Sequence, residues 1–407
     1  MYRRRVFYIP GYDPIPPRRY RELYRKESAA QAEISGYEIG LTAKAASSGS
    51  YGWRVQSTIE DSRTTTDIEV LVWSDIVRAS MDSSILATYL QLIQTAWIYI
   101  STGALRRLMW LRKGPVIAAL YPVSMLLAQA LLAVLLVWGT VRTGIGTAGF
   151  FSVSGLPVQV ASLILGLLLG AGMMRWFKKL DGKFFAYYLM HDYAYSASSR
   201  GAYSVDLEDR IAEFTALIQK ALSDGELDEV LVVGHSSGAH IAVSALSDLI
   251  RAGLPDNHPP LGFLSLGQVV PMVSFLPKAY RLRSDLKFLS QRDELAWVDV
   301  TAPGDGCAFA LCDPVSVSGV GTDGKRWPLV FSAAFTQTLS SQRWGELRWR
   351  FFRLHFQYLC AFDRPGDYDY FQITAGPMTL QQRYRDRKPS QSRIDESVSK
   401  YTSVAAR

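Results

Sequence analysis

Between Gly114 and Met174 the chain carries one charged residue, Arg142, in an otherwise apolar run. At about 1.5 Å per residue, Gly114 to Val141 reaches about 40 Å as a helix and Leu156 to Met174 nearly 30 Å, each enough to cross the hydrocarbon core of a bilayer. Gly144, Gly146, Gly149, Gly155 and Pro157 mark the expected turn between them. Soluble helices rarely run so far without charge, so the expectation is a transmembrane hairpin over 114–174 rather than a pair of core helices.

The basic residues give that hairpin an expected direction. Arg106, Arg107, Arg112 and Lys113 precede it, Arg175, Lys178, Lys179 and Lys183 follow it, and only Arg142 lies in its loop. The positive-inside rule then puts both flanks, and with them both termini, on the cytoplasmic side. The same residues account for much of the net charge of +7, so the basic excess calls for no nucleic acid, and the basic run from Arg383 to Lys388 is short. The bilayer is the expected partner. Just before the hairpin, Ile85 to Ile100 is uncharged and broken at Thr88, Gln91, Gln94 and Thr95, near the helical period. It reads as an amphipathic helix within 84–113 lying on a surface of protein or lipid. A third crossing would put the two halves of the remaining chain on opposite sides of the membrane.

Those halves, 1–83 and 175–385, alternate strand and helix signals. Arg5–Ile9, Tyr37–Ala43, Trp53–Ile59 and Ile68–Trp73 read as strands, separated by a helix over Pro17–Ser35 and by Gly/Ser-rich and Asp/Thr-rich loops. After the hairpin come an aromatic-rich stretch from Phe184 to Tyr203, a helix over Ser204–Leu222, and strands at Gly262–Val270, Leu295–Thr301 and Pro328–Ala334. Segment 386–407 is charged and Ser-rich and is expected to be a mobile tail. Three cysteines, Cys307, Cys312 and Cys360, form no disulfide framework and lack zinc spacing, so no metal and no cofactor is expected. The start, MYRRRVFYIPGYDP, has no apolar run of signal-peptide length before its first proline.

The chemistry-bearing stretch is Asp228–Arg251. Glu229–Val233 is a β-branched strand, Ala239–Ile250 repeats its apolar residues at helical spacing, and Gly234-His235-Ser236-Ser237-Gly238 joins them. In a G-x-S-x-G turn the small flanking residues let a serine sit on strained backbone with its hydroxyl exposed at a sheet end. The next N–H, that of Ser237, and the positive end of the helix would face a developing oxyanion. The segment resembles the nucleophile elbow of the α/β-hydrolase superfamily, specifically over about twenty-five residues. The resemblance implies a mostly parallel sheet flanked by helices, here interrupted by the hairpin, and a nucleophile, acid, histidine order along the chain.

Under that resemblance Ser236 is the nucleophile, and His355 is the one histidine of five far enough downstream to be its base. Its flanks, Arg353-Leu354 and Phe356-Gln357-Tyr358, look more like an ordered element than the loop where the family keeps its histidine; the alternative is a core histidine. Asp305, in the Pro303-Gly304-Asp305-Gly306 turn after a predicted strand, is the candidate orienting acid, with Asp299 and Asp313 as substitutes. The second oxyanion N–H is expected from Gly11 or Tyr12, although Pro10-Gly11-Tyr12-Asp13-Pro14 also reads as an ordinary turn with Asp13 as its cap. The function implied is a membrane-anchored serine hydrolase acting on an ester or acyl substrate. An acyltransferase with the same residues and a non-catalytic membrane scaffold are the alternatives.

Overall fold

The computed structural model describes residues 1–43, 50–153 and 155–406. They form two compact units. One comprises Met1–Ala79, Tyr99–Val116 and Ser199–Arg407, and the other Ser80–Ile98 and Ile117–Ser198.

The first unit is α/β. Its eight strands are β1 (Tyr2–Ile9), β2 (Glu38–Ala43), β3 (Gly52–Ile59), β4 (Ser62–Val70), β5 (Glu229–His235), β6 (Leu261–Leu266), β7 (Leu295–Thr301) and β8 (Leu329–Ser332), in the spatial order β2-β3-β4-β1-β5-β6-β7-β8. From β4 to β8 every neighbouring pair is parallel. At the other edge β2, β3 and β4 run antiparallel, making the sheet mixed. β5, β6 and β7 are buried along their whole length, as strands covered on both faces must be.

The register joins the two ends of the chain. Val6 lies beside Ile68 on one side and Leu231 on the other, so the strands before and after the apolar segment share one sheet. Arg4 and Glu229 make this joint polar as well as apolar. Arg4 donates to Glu229 at 2.5 Å and to the carbonyls of Gly376 and Met378, while Glu229 accepts the Leu380 N–H at 2.6 Å. A buried charge pair is tolerable only when its remaining hydrogen-bonding capacity is met, as it is here.

Two sequence expectations change in this unit. The Asp/Thr-rich stretch after Ile59 is strand rather than loop, because Thr64 and Thr66 are β-branched and alternate inward with Ile68 and Val70. Segment 386–407, expected to be mobile, is hydrogen-bonded to the body at points as far along as Ser403. Ile394 exchanges backbone hydrogen bonds with Leu311 and Asp313, Val398 donates to Val317, and Arg283 donates to the Ser403 carbonyl at 2.7 Å. Its polar composition hid a pairing carried by backbone groups, which composition does not report.

The second unit contains two helices long and apolar enough to cross a membrane, Lys113–Phe150 and Leu156–Lys179; the first begins in the other unit. Only 17% of the most apolar window of each is buried. Leu131, Val134, Trp138, Leu167 and Leu168 are among the exposed side chains. The first helix runs 38 residues, about 57 Å. It continues past the expected end at Val141 to Phe150, so Gly144, Gly146 and Gly149 lie inside the helix rather than in a turn. Gly144 is there for packing: a β-carbon would fall 2.2 Å from the Ser162 hydroxyl.

Ser162, Gly166 and Gly170, four residues apart, are the buried face of the second helix. Gly166 lies against the Val137 backbone and Gly170 against Val137 and Ala133, a small-residue seam of the kind that lets helices approach in lipid. Gly166→Leu is therefore expected to lower the thermal stability of the detergent-solubilised chain by roughly 1–3 kcal/mol through overpacking. Gly172→Leu, on the same helix with nothing within 4 Å of its β-carbon, should be neutral or stabilising. Equal midpoints for the two variants in a thermal melt would refute the seam.

The expected amphipathic segment 84–113 is two helices, Ile85–Ser101 and Ala104–Leu111, because Gly103 adopts φ 74° between them. The longer one has an apolar outer face over a mixed inner one that includes Leu92, Ile98 and Tyr99. Thr88 and Thr95 are buried, while Leu86, Leu90, Ile93, Trp97 and Ile100 are exposed at alternating spacings of four and three. The aromatic stretch after the hairpin forms the helix Ala186–Ser198, and Tyr187 and Met190 pack with Leu92 and Leu126 in the core of this second unit rather than with the sheet.

Candidate functional site

The residues of interest gather where β5, β6 and β7 end. β5 runs into Ser236, which takes φ 56°, and the helix Gly238–Ala252 follows at once. A left-handed serine is costly, and persists only where its surroundings fix it. Both flanking glycines supply that fixing. A β-carbon on Gly234 would lie 2.8 Å from the Ala239 Cα, and one on Gly238 would lie 2.2 Å from the Ile9 carbonyl oxygen and 2.6 Å from that of Pro10. Ser236 donates its backbone N–H to Leu266 at 2.9 Å, anchoring the turn to the end of β6. Its side chain is half-buried, on otherwise buried surroundings.

Asp305 and His355 are 50 residues apart in the chain and joined in space. His355 Nδ1 bonds to Asp305 Oδ2 at 2.7 Å. Asp305 follows β7, turning on its own N–H to the Ala302 carbonyl, and its Oδ1 accepts the Cys307 N–H at 2.9 Å. The Tyr358 hydroxyl donates to Asp305 Oδ2 at 3.1 Å and accepts the Ala302 N–H at 2.9 Å. Burial would raise the Asp305 pKa, but the charge and hydrogen bond of His355, with the Cys307 and Tyr358 donors, hold it below the ordinary carboxylate value. Asp305 thus stays ionised, suited to fix one imidazole tautomer and to stabilise an imidazolium.

His355 ends the short helix Phe351–His355, an ordered element as its flanks suggest. Its ring approaches Gly267, where a β-carbon would come within 3.2 Å of His355 Cε1. Ser236 and His355 therefore flank the same Leu266-Gly267 corner. No hydrogen bond joins the Ser236 hydroxyl to His355 here, and catalytic hydrogen bonds of this kind often tighten only with substrate bound.

His235 points away from the serine, as the turn implies, and has a supporting place that the sequence did not reveal. Its ring lies 4.9 Å from that of His355, and its Nε2 donates to the His355 carbonyl at 3.0 Å. Burial, then the proximity of His355, pushes its pKa down to about 3, so it is neutral. Tyr358 is the other residue that sequence reasoning missed; a tyrosine three places after a histidine carries no motif.

The two substitute acids and the other three histidines have separate partners or places. Asp299 is buried mid-strand and accepts from Ser265 at 2.5 Å, its pKa pushed up to about 8 by burial. Asp313 caps the turn at Val315 and pairs with Lys325. His240 meets Tyr203 at 3.0 Å, and His258 donates to its neighbouring carbonyl. His191 lies in the second unit.

Gly11 sits on the serine: a β-carbon there would meet Ser236 Cβ at 2.8 Å and Oγ at 3.3 Å. The backbone N–H groups of Gly11 and Ser237 donate to no acceptor among the described residues. Tyr12 is buried edge-on to Trp73. Asp13 accepts from the Ile15 N–H and the Tyr20 hydroxyl, so the turn-cap reading of this loop also holds.

Asp305, Cys307 and His355 also bring three potential metal-ligand atoms within 4.8 Å of one another, a group of three among the described residues. Two of them already share a proton across 2.7 Å, where a metal would need both lone pairs. The arrangement suits acid–base chemistry better than coordination. Compared with family models, curated proteins and solved structures, the chain matches none.

Proposed function

We propose that this chain is a membrane-anchored serine hydrolase of α/β-hydrolase type, cleaving an ester or thioester through an acyl-enzyme on Ser236. The observation that carries it is the buried His355–Asp305 hydrogen bond, delivered to the strand corner where Ser236 is held at φ 56°. The chain order of nucleophile, acid and histidine is the one the resemblance implies, and the five consecutive parallel pairings from β4 to β8 agree with it.

In this mechanism His355 Nε2 takes the Ser236 hydroxyl proton as Oγ attacks the carbonyl carbon. The tetrahedral oxyanion is met by the N–H of Ser237 and by the backbone of the Gly11/Tyr12 loop, with the positive end of the following helix behind them. The imidazolium, stabilised by Asp305, returns the proton to the leaving alcohol or thiol. Water then repeats the sequence on the acyl-enzyme, releasing the acid and restoring Ser236.

The anchor is the hairpin. Because strands on either side of it share one sheet, a bilayer must be crossed an even number of times between Ala79 and Ser199, and two crossings satisfy this. The basic residues at both flanks support a cytoplasmic position for the sheet. Fixing the serine on a membrane-tethered unit suits an acyl-chain substrate. The reading is tested by supplying the detergent-solubilised chain with short- and long-chain nitrophenyl esters and an acyl thioester. Stoichiometric free acid above the buffer rate is expected, and a purified, folded chain that releases none from any of them contradicts it.

A further inference from the structure

We propose that the groove at the foot of the first membrane helix binds one anionic phospholipid. The groove has a volume of about 450 Å³, within the size range of small-ligand sites, and is lined by Ile100, Leu105, Arg106, Met109, Trp110 and Lys113. Its walls are apolar, its rim carries two cations, and no acidic residue lines it.

Neighbouring cations are already committed and these two are not. Arg107 donates to the Val398 carbonyl at 2.7 Å and Arg112 to that of Ala310 at 2.6 Å, fixing the helix Ala104–Leu111 within the sheet-bearing unit. Arg106 and Lys113 are exposed and form no ion pair among the described residues. The Arg106 guanidinium instead stacks 4.8 Å over the exposed Trp110 ring, which leaves its N–H edge open to a phosphate. An indole beside two cations, with an aliphatic floor, is the composition of a headgroup-level site.

Position supplies the source of the phosphate. Lys113 is the first residue of a helix long and apolar enough to span a membrane. Ile100 is both a groove wall and the last of the exposed apolar series on the helix Ile85–Ser101. A lipid phosphate between Arg106 and Lys113, with an acyl chain along Ile100, Leu105 and Met109, satisfies both halves of the groove. The inference rests on the membrane reading of the hairpin and is independent of the serine chemistry.

The test uses the full chain in nanodiscs of pure phosphatidylcholine and of an equal mixture with phosphatidylglycerol, followed by release into mild detergent and native mass spectrometry. Phosphatidylglycerol is expected to be retained in preference to phosphatidylcholine, with one tightly held copy. Retention should fall about tenfold in the Arg106→Gln/Lys113→Gln variant, and stay unchanged in Arg175→Gln/Lys179→Gln at the other flank. No headgroup preference, or equal loss in both double variants, overturns the site. Failure of the chain to enter even pure phosphatidylcholine discs overturns the anchor itself and the groove with it.

Discussion

Ser236→Ala should lower ester turnover by about four to six orders of magnitude while leaving the thermal midpoint within about 0.5 kcal/mol of the parent. The removed hydroxyl makes no hydrogen bond among the described residues, so the fold loses nothing by its absence; relief of β-carbon crowding is not involved, since alanine keeps that atom. His355→Ala should cost a comparable factor, because no other imidazole reaches the Leu266-Gly267 corner except the neutral, inward-facing His235. Asp305→Asn is expected to cost about four orders of magnitude, since an amide in place of the carboxylate favours the wrong imidazole tautomer. His240→Ala and His191→Ala should retain most activity, the first being bonded to Tyr203 and the second belonging to the other unit. Measured with one ester under saturating and sub-saturating conditions, the pattern separates the proposed roles of Ser236, His355 and Asp305 from those of their neighbours. Full activity in His355→Ala would remove the base from the scheme.

The second large effect is structural. Gly238→Ala should destabilise the chain by at least about 3 kcal/mol and remove activity with it. Its β-carbon would fall 2.2 Å and 2.6 Å from the carbonyl oxygens of Ile9 and Pro10, and both are backbone atoms that cannot swing aside. Relief would require moving the end of β1 away from β5, and with it Gly11. Gly225→Ala is the matched control, having nothing within 4 Å of its β-carbon, and should change stability by less than about 0.5 kcal/mol. Denaturant titration of both variants decides the matter; a Gly238→Ala protein with the parent's midpoint would mean the elbow is looser than its contacts indicate.

How far these features could be read from the sequence depended on how local their causes were. The elbow was legible because a strand, two glycines around a serine and a helix are contiguous, and each imposes its geometry on the next few residues. The Asp305–His355 pair was legible only through the chain order that the resemblance implied; nothing in the 50 intervening residues announces the contact. Tyr358, which braces that pair from the side, carries no pattern at all, and the place of His235 in the elbow motif gives no sign of its bond to the His355 carbonyl. The hairpin followed from the absence of charge, whereas its exact turn did not. Gly144, Gly146 and Gly149 look like turn residues in a one-dimensional reading, and Gly144 is in fact demanded by Ser162 across the helix pair. The docking of 390–403 was missed for a related reason, since its hold on Leu311, Asp313 and Val317 runs through backbone groups that any side chains would leave in place.

The most direct test of the central claim, that Ser236 is an activated nucleophile, is covalent labelling with a fluorophosphonate followed by peptide mass mapping. A single adduct on the peptide carrying Ser236 is expected in the parent chain, abolished in Ser236→Ala and strongly slowed in His355→Ala. An unlabelled Ser236 in folded, detergent-solubilised protein, or an adduct that forms at the same rate without His355, would contradict it.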